Sequence, residues 1–454
     1  MRIFSFTLLC LLSILGFAKE VRIQGNVIGF DGKEINLIVV NDFISLQKNV
    51  IAKTSIEEDQ FIFTVDLNST QQLYLKIEDK ESSFFAEPGA VYNLTLSYDE
   101  EKNQGQAYNK RLDLKFAFPR ADELNQKIKA FNQAYQDFFT ENYSLFAINA
   151  AQKQSLSFIE KIEQDSRFQS PEFVKQYCTY ALANLKDINR LPRKELFEEY
   201  LNNKEIRYQN KEYMNFFVQY YKEDFGQYCI TKKGSELLKA IMFDKDLSKS
   251  LSLIQKDKGF SQLELAELYL INGLFEVYHK RTIEQVSAIS MLDQITKAGQ
   301  NEENKSMAKA IKQKLKFFGT QELAPEFSLL NSKNETVSLN ELKGKPIYLS
   351  FWANWSIPSL RELKVMKKLH EKYGNEIHFV SINLDEDPKV MTDLKSKNDY
   401  EWPFLHYGND YEIREKYQVK AVPSYYLIDK NGKLIQAFAP NPVEVEKTLY
   451  DLSK

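Results

Sequence analysis

The sequence predicts a multidomain chain: an N-terminal antiparallel β-sandwich, a central all-α helical domain and a C-terminal α/β domain. Three observations carry that reading. Short strands separated by turn residues fill positions 19–98, helical periodicity takes over from 107 to 318, and strands alternate with helices from 319 to 454. At 454 residues the chain exceeds one ordinary core, and its 32 Phe and 25 Tyr supply ample apolar surface for several. The formal charge of −3, without any Lys/Arg block, excludes nucleic acid as a partner on electrostatic grounds.

Residues 1–18 read as a signal peptide. Met1-Arg2 carries charge, Ile3 to Phe17 is apolar, and Gly16-Phe17-Ala18 offers small residues for cleavage before Lys19. The apolar run is shorter than a spanning helix needs, and no other stretch could cross a bilayer, so no transmembrane segment is expected after cleavage. Cys178 and Cys229 then remain as the only cysteines, which leaves open a single disulfide but no stapled framework.

Each part is read from its own pattern. In 19–98, Val21, Ile23 and Val27-Ile28 precede the turn signal Asp31-Gly32. Ile35–Val40, Phe61–Val65, Leu73–Ile77 and Tyr92–Leu96 follow as further strands, with Pro88-Gly89 between the last two. Asp99 to Gln106 is polar and reads as a linker. In 107–318, one apolar stripe runs through Leu124, Ile128, Phe131, Tyr135 and Phe138, and another through Phe173, Val174, Tyr177, Cys178, Ala181, Leu182 and Leu185. Leu265, Leu268, Ile271, Leu274, Phe275 and Tyr278 continue the pattern, and helical hairpins forming a spacer are the plain reading.

In 319–454, Ile347–Trp352 is a buried-strand pattern that delivers a turn, Ala353-Asn354-Trp355, and opens a helix. Leu360, Leu363, Met366, Leu369 and Tyr373 give that helix an apolar face, opposite Arg361, Glu362, Lys364, Lys367 and Lys368. Ile377–Asn383 is the next strand. Val422-Pro423-Ser424 leads into Tyr425–Asp429, and Asn431-Gly432 makes a hairpin turn.

These residues carry a resemblance. Phe351-Trp352-Ala353, Trp355-Ser356-Ile357-Pro358-Ser359 and Val422-Pro423 resemble the TlpA-like redoxin branch of the thioredoxin fold, over the whole C-terminal domain. The β-rich N-terminal segment resembles domains that precede such folds in exported Bacteroidetes proteins. The resemblance implies a C-terminal α/β thioredoxin fold, a periplasmic location, and a Cys-x-x-Cys pair at 356 and 359. This chain carries serine at both positions. In the family the first cysteine sits at a helix N-terminus that favours thiolate, and the second resolves the mixed disulfide. A serine hydroxyl cannot form or exchange a disulfide. Ser350 stands where many relatives carry an acidic or amide residue.

No catalytic residue is therefore expected at the motif remnant Ser356 and Ser359, and a helix N-cap is the expected role for the hydroxyls. The four histidines form no partner pattern for a serine nucleophile. Asp385-Glu386-Asp387 reads as a solvated loop. No metal-ligand spacing or phosphate loop occurs, so no metal or cofactor is expected. What the resemblance leaves is a groove of Trp355, Ser356, Ser359, Val422 and Pro423 for a protein partner or extended peptide. Two alternatives stand: a thiol–disulfide oxidoreductase acting through Cys178 and Cys229 or a partner's thiols, and a structural protein that binds through its β-sandwich.

Overall fold

The computed structural model describes residues 19–103, 110–117, 122–278, 280, 282–317, 322–408 and 411–454. Residues 1–18, read above as a signal peptide, lie outside the described residues. The chain forms two compact units. One holds the described residues up to Ile283 with Ile295–Met307; the other holds Glu284–Gln294 and Ala308–Lys454.

The first unit begins with eight strands: β1 (Lys19–Val27), β2 (Glu34–Val40), β3 (Lys48–Ser55), β4 (Gln60–Leu67), β5 (Gln71–Ile77), β6 (Lys80–Ala86), β7 (Val91–Tyr98) and β8 (Lys110–Phe116). They hydrogen-bond in the order β3-β2-β5-β6-β8-β7-β1-β4. Alternation drives this: Val21, Ile23, Phe61, Phe63, Leu73, Leu75, Leu94 and Leu96 enter one core while their neighbours face out. The antiparallel expectation fails at two pairings. β1 runs parallel to β7, and β6 runs parallel to β8. The boundary at 98 also moves, because β8 belongs to the sheet; Leu112, Leu114 and Phe116 alternate with polar residues and pack on the same core.

Twelve α-helices follow among the described residues: α1 (Leu124–Glu141), α2 (Tyr143–Ala147), α3 (Gln152–Gln164), α4 (Glu172–Ile188), α5 (Arg193–Tyr200), α6 (Lys211–Tyr220), α7 (Asp224–Cys229), α8 (Gly234–Lys239), α9 (Leu247–Lys258), α10 (Leu263–Val277), α11 (Gln285–Ala298) and α12 (Glu302–Phe317). The stripes read from sequence are the buried faces of α1, α4 and α10. Phe85 of β6 joins the core of α1, α3 and α4, its ring against Phe173 and Tyr177. Asn125 of α1 bonds both backbone groups of Phe85, accepting from its N–H at 2.6 Å and donating to its C=O at 2.9 Å. A carboxamide thus takes the place of a neighbouring strand where β8 has left β6.

The second unit carries β9 (Ser328–Asn331), β10 (Thr336–Ser338), β11 (Ile347–Trp352), α13 (Ile357–Tyr373), β12 (His378–Asn383), α14 (Pro388–Asn398), β13 (Phe404–His406), α15 (Tyr411–Lys416), β14 (Ser424–Ile428), β15 (Leu434–Ala437) and α16 (Glu446–Leu452). Its sheet order is β10-β9-β13-β12-β11-β14-β15. β11 lies parallel to β12 and antiparallel to β14, and all six of its residues are buried. Ile347, Leu349 and Phe351 enter the core on one face. Tyr348 and Trp352 pack on the other, with Leu363, Met366 and Leu369 of α13 and Leu449 of α16. A strand covered on both faces needs a continuous apolar run, and Ile347–Trp352 supplies it. No helix among the described residues is long and apolar enough to cross a membrane.

Candidate functional site at the start of α13

The site forms where β11 hands the chain to α13. Ser356 N donates to Ala353 O at 3.1 Å, which closes the turn. Ser356 itself is extended (φ −92°, ψ 103°), the N-cap conformation, and its Oγ accepts from Ser359 N at 3.3 Å. The same hydroxyl donates to Val422 O at 3.0 Å. One group thus satisfies an orphan amide of the helix and anchors a loop 66 residues away in sequence. Pro358 sits in the first turn, where a missing N–H leaves nothing unpaired. The expected N-cap role is filled by Ser356.

Ser359 is buried, and its Oγ makes no hydrogen bond among the described residues. The Val422–Pro423 bond is cis. Val422 packs partly on the sheet core and Pro423 is half-buried, while Trp355 is 50% exposed and Ile357 63% exposed. The Ser356–Val422 bond therefore brings two sequence-distant parts of the expected groove together, with Trp355 open beside them.

Beneath the turn lies a chain of buried hydroxyls. Trp402 Nε1 donates to Ser381 Oγ at 2.8 Å, Ser381 Oγ lies 2.8 Å from Ser350 Oγ, and Ser350 Oγ reaches Val380 O at 3.3 Å. Every member of this chain has a partner and none titrates near neutral pH.

The acidic loop has a role that the sequence did not disclose. Asp385 Oδ2 accepts from Asn354 N at 2.8 Å and from Asn383 Nδ2 at 2.6 Å, which tethers the turn before Trp355. His406 locks the other side. Its Nδ1 accepts from Gly408 N at 3.0 Å, so Nε2 carries the proton and donates to Asp385 O at 2.7 Å. His370 packs against Phe379 and Trp402, and burial lowers its pKa. Ser356 thus hydrogen-bonds a carbonyl and an amide rather than a base.

Cys178 on α4 and Cys229 at the end of α7 are both buried free thiols, so the disulfide left open by the sequence is not formed. Cys178 lies on the apolar face that α4 turns to α1 and α3, whereas Cys229 closes a different helix. Burial raises the Cys178 thiol far above its ordinary range and pushes Cys229 up to about 12. No cluster of His, Cys, Asp or Glu among the described residues is arranged to hold a metal ion.

Residues 320–437 match the AhpC/TSA family. Thiol-disulfide oxidoreductase ResA of Bacillus thuringiensis subsp. konkukian is 30% identical over 114 residues, covering 25% of this chain and 65% of that relative. Thioredoxin-like protein YneN of Bacillus subtilis is 32% identical over 110 residues, with 24% and 65% covered. The chain thus spans just under two thirds of the length of these curated relatives. A solved structure of a thiol-disulfide oxidoreductase from Bacteroides fragilis aligns with a TM-score of 0.27 at 24% identity, over 29% of this chain and 100% of that one. With β11 feeding α13 beside a cis-proline, the C-terminal part resembles a thioredoxin-fold domain of the redoxin type. Within that class it is similar to the TlpA-like thiol–disulfide oxidoreductases.

Proposed function

We propose that this is an exported protein whose thioredoxin-fold domain no longer performs dithiol chemistry and binds an extended segment of a protein partner. The carrying observation is the Ser356 hydroxyl, engaged at once by the first turn of α13 and by the carbonyl before cis-Pro423. It supports a site whose architecture is kept by oxygen where the resembling family uses sulfur. Serine at 356 and 359 offers no thiolate to attack a disulfide and none to resolve one. Trp355, Ser356, Ser359, Val422 and Pro423 line the groove in this reading. Export into the periplasm rests on the character of Met1–Ala18.

The rival reading needs Cys178 and Cys229 as a reactive pair. Burial of both, with their thiols held protonated, weighs against it.

A dithiothreitol-driven insulin reduction assay tests the redox half. The purified chain and its Cys178→Ser/Cys229→Ser variant are both expected to give no turnover above background. Turnover in the wild type alone overturns the proposal in favour of the cysteine pair. The binding half has an intrinsic reporter, because Trp352 and Trp402 are buried and Trp355 alone of the three tryptophans is half-exposed. A segment that covers the groove is expected to shift its emission to the blue.

A further inference from the structure

We infer that the partner segment is acidic, and that it is held by a cationic stripe running down α13 from Ile357. This rests on the binding reading above and names the chemistry of what binds. Ile357, Arg361, Lys364 and Lys368 are all exposed. At 3.6 residues per turn their spacing of four, three and four places them within an arc of about 60° on one helix face. The stripe is roughly 16 Å long at 1.5 Å per residue, the span of about five residues of extended chain.

Two features separate this stripe from an ordinary solvated face. First, its cations lack counter-ions. Lys372 pairs with Glu446 and Lys367 bonds Asn398 O, both elsewhere on the helix, and Glu362 accepts from Tyr425 OH. Among the described residues Arg361, Lys364 and Lys368 have no ion pair, and like charges at these spacings oppose the helix that carries them. Glu371, one turn beyond Lys368, ends the stripe. Second, the stripe begins at exposed Ile357, two residues after exposed Trp355 and next to Ser356, which donates to the Val422 carbonyl. An apolar anchor leading into three unpaired cations is complementary to an extended segment with an aliphatic or aromatic residue followed by alternate Asp or Glu. Alternate residues of such a segment lie about 6.6 Å apart on one face, against rises of about 4.5 and about 6 Å between successive cations, a mismatch that the long Arg and Lys side chains span.

The test uses the whole chain and two blocked ten-residue peptides, one alternating Glu with Leu and Trp-free, the other with every Glu replaced by Gln. Binding is read from Trp355 emission at low ionic strength. The glutamate peptide is expected to bind about tenfold tighter than the glutamine peptide, as three exposed ion pairs allow, and to lose that margin in high salt. R361E/K364E/K368E, with helix content checked by circular dichroism, is expected to abolish the margin; the mild variant Lys364→Gln is expected to reduce it. Equal binding of the two peptides overturns the inference, as does a margin that survives charge reversal. If the glutamine peptide still shifts Trp355 emission in that case, the groove reading stands while this one falls. If neither peptide shifts it, both fall. Stripe-dependent capture by phosphatidylglycerol vesicles without peptide discrimination assigns the stripe to a membrane surface and also overturns the inference.

Discussion

Replacing Ser356 tests whether its hydroxyl holds the site together. In Ser356→Ala the Ser359 amide loses its cap and the Val422 carbonyl loses its donor. The cap is worth about 1 kcal/mol, and the hydrogen bond from a buried hydroxyl about another 1 kcal/mol. A local loss of about 2 kcal/mol corresponds to roughly 30-fold in an opening equilibrium. Hydrogen exchange at the Ser359 amide, followed by mass spectrometry on a peptide spanning the first turn of α13, reads this without requiring global unfolding of a multidomain chain. Ser356→Ala is expected to speed exchange roughly 30-fold. Ser356→Asp keeps the cap but cannot donate to Val422, and is expected to lie between, at about fivefold. Ser356→Thr keeps both functions and is expected to match wild type within about twofold. The reasoning is refuted if Ala exchanges like wild type, or if Asp is no better than Ala.

Two further outcomes follow from buried groups. Cys178 and Cys229 are expected to resist Ellman's reagent in the folded protein and both to react in denaturant; fast labelling of either in native buffer contradicts the burial described. Glu267 on α10 is fully buried, accepting at one oxygen from Gln300 N and Asn304 Nδ2, with Oε1 unbonded among the described residues. Desolvation raises its pKa above the ordinary 4.5, so the folded state holds the proton more tightly than the unfolded one. Its contribution to stability is fully present below that ordinary value and is lost as pH rises through the raised one. Glu267→Gln is expected to flatten this part of the pH dependence of thermal unfolding; an unchanged slope contradicts the assignment.

What could be read from sequence followed from how one-dimensional each signal is. The handover from β11 to α13 was legible because six consecutive buried residues lead into a helix with Leu363, Met366 and Leu369 on one face. Cys178 was legible as a core residue for the same reason. β3 was missed because Lys48, Asn49 and Lys53 interrupt its apolar alternation and none of its residues is buried. β6 was missed because only Phe84, Phe85 and Ala86, at its end, are buried. β8 alternates correctly, yet Lys110, Arg111, Asp113 and Lys115 mask the pattern, and it fell inside the span read as helical. At the site, the residues Trp355, Ser356, Val422 and Pro423 were named through resemblance, whereas the bond from Ser356 to Val422 depends on tertiary closure. Asp385 escaped notice because three adjacent acids read as solvated, and only folding brings Asn354 N to one of them.

The clasp between Asn125 and Phe85 bears on how this chain can be inherited or cut. Phe85 lies in the strand-rich segment but fills the helical core, and the Asn125 carboxamide stands in for a strand at its backbone. A cleavage or recombination point between the strands and the helices would strip an aromatic plug from one side. It would also leave a buried amide and carbonyl unsatisfied on the other. Asp at 125 could not substitute, since an ionised carboxylate offers no donor to the Phe85 carbonyl. Separating the strands from the helices at this seam is therefore expected to destabilise both segments, the helical core losing its Phe85 plug and the Phe85 backbone losing its Asn125 partner.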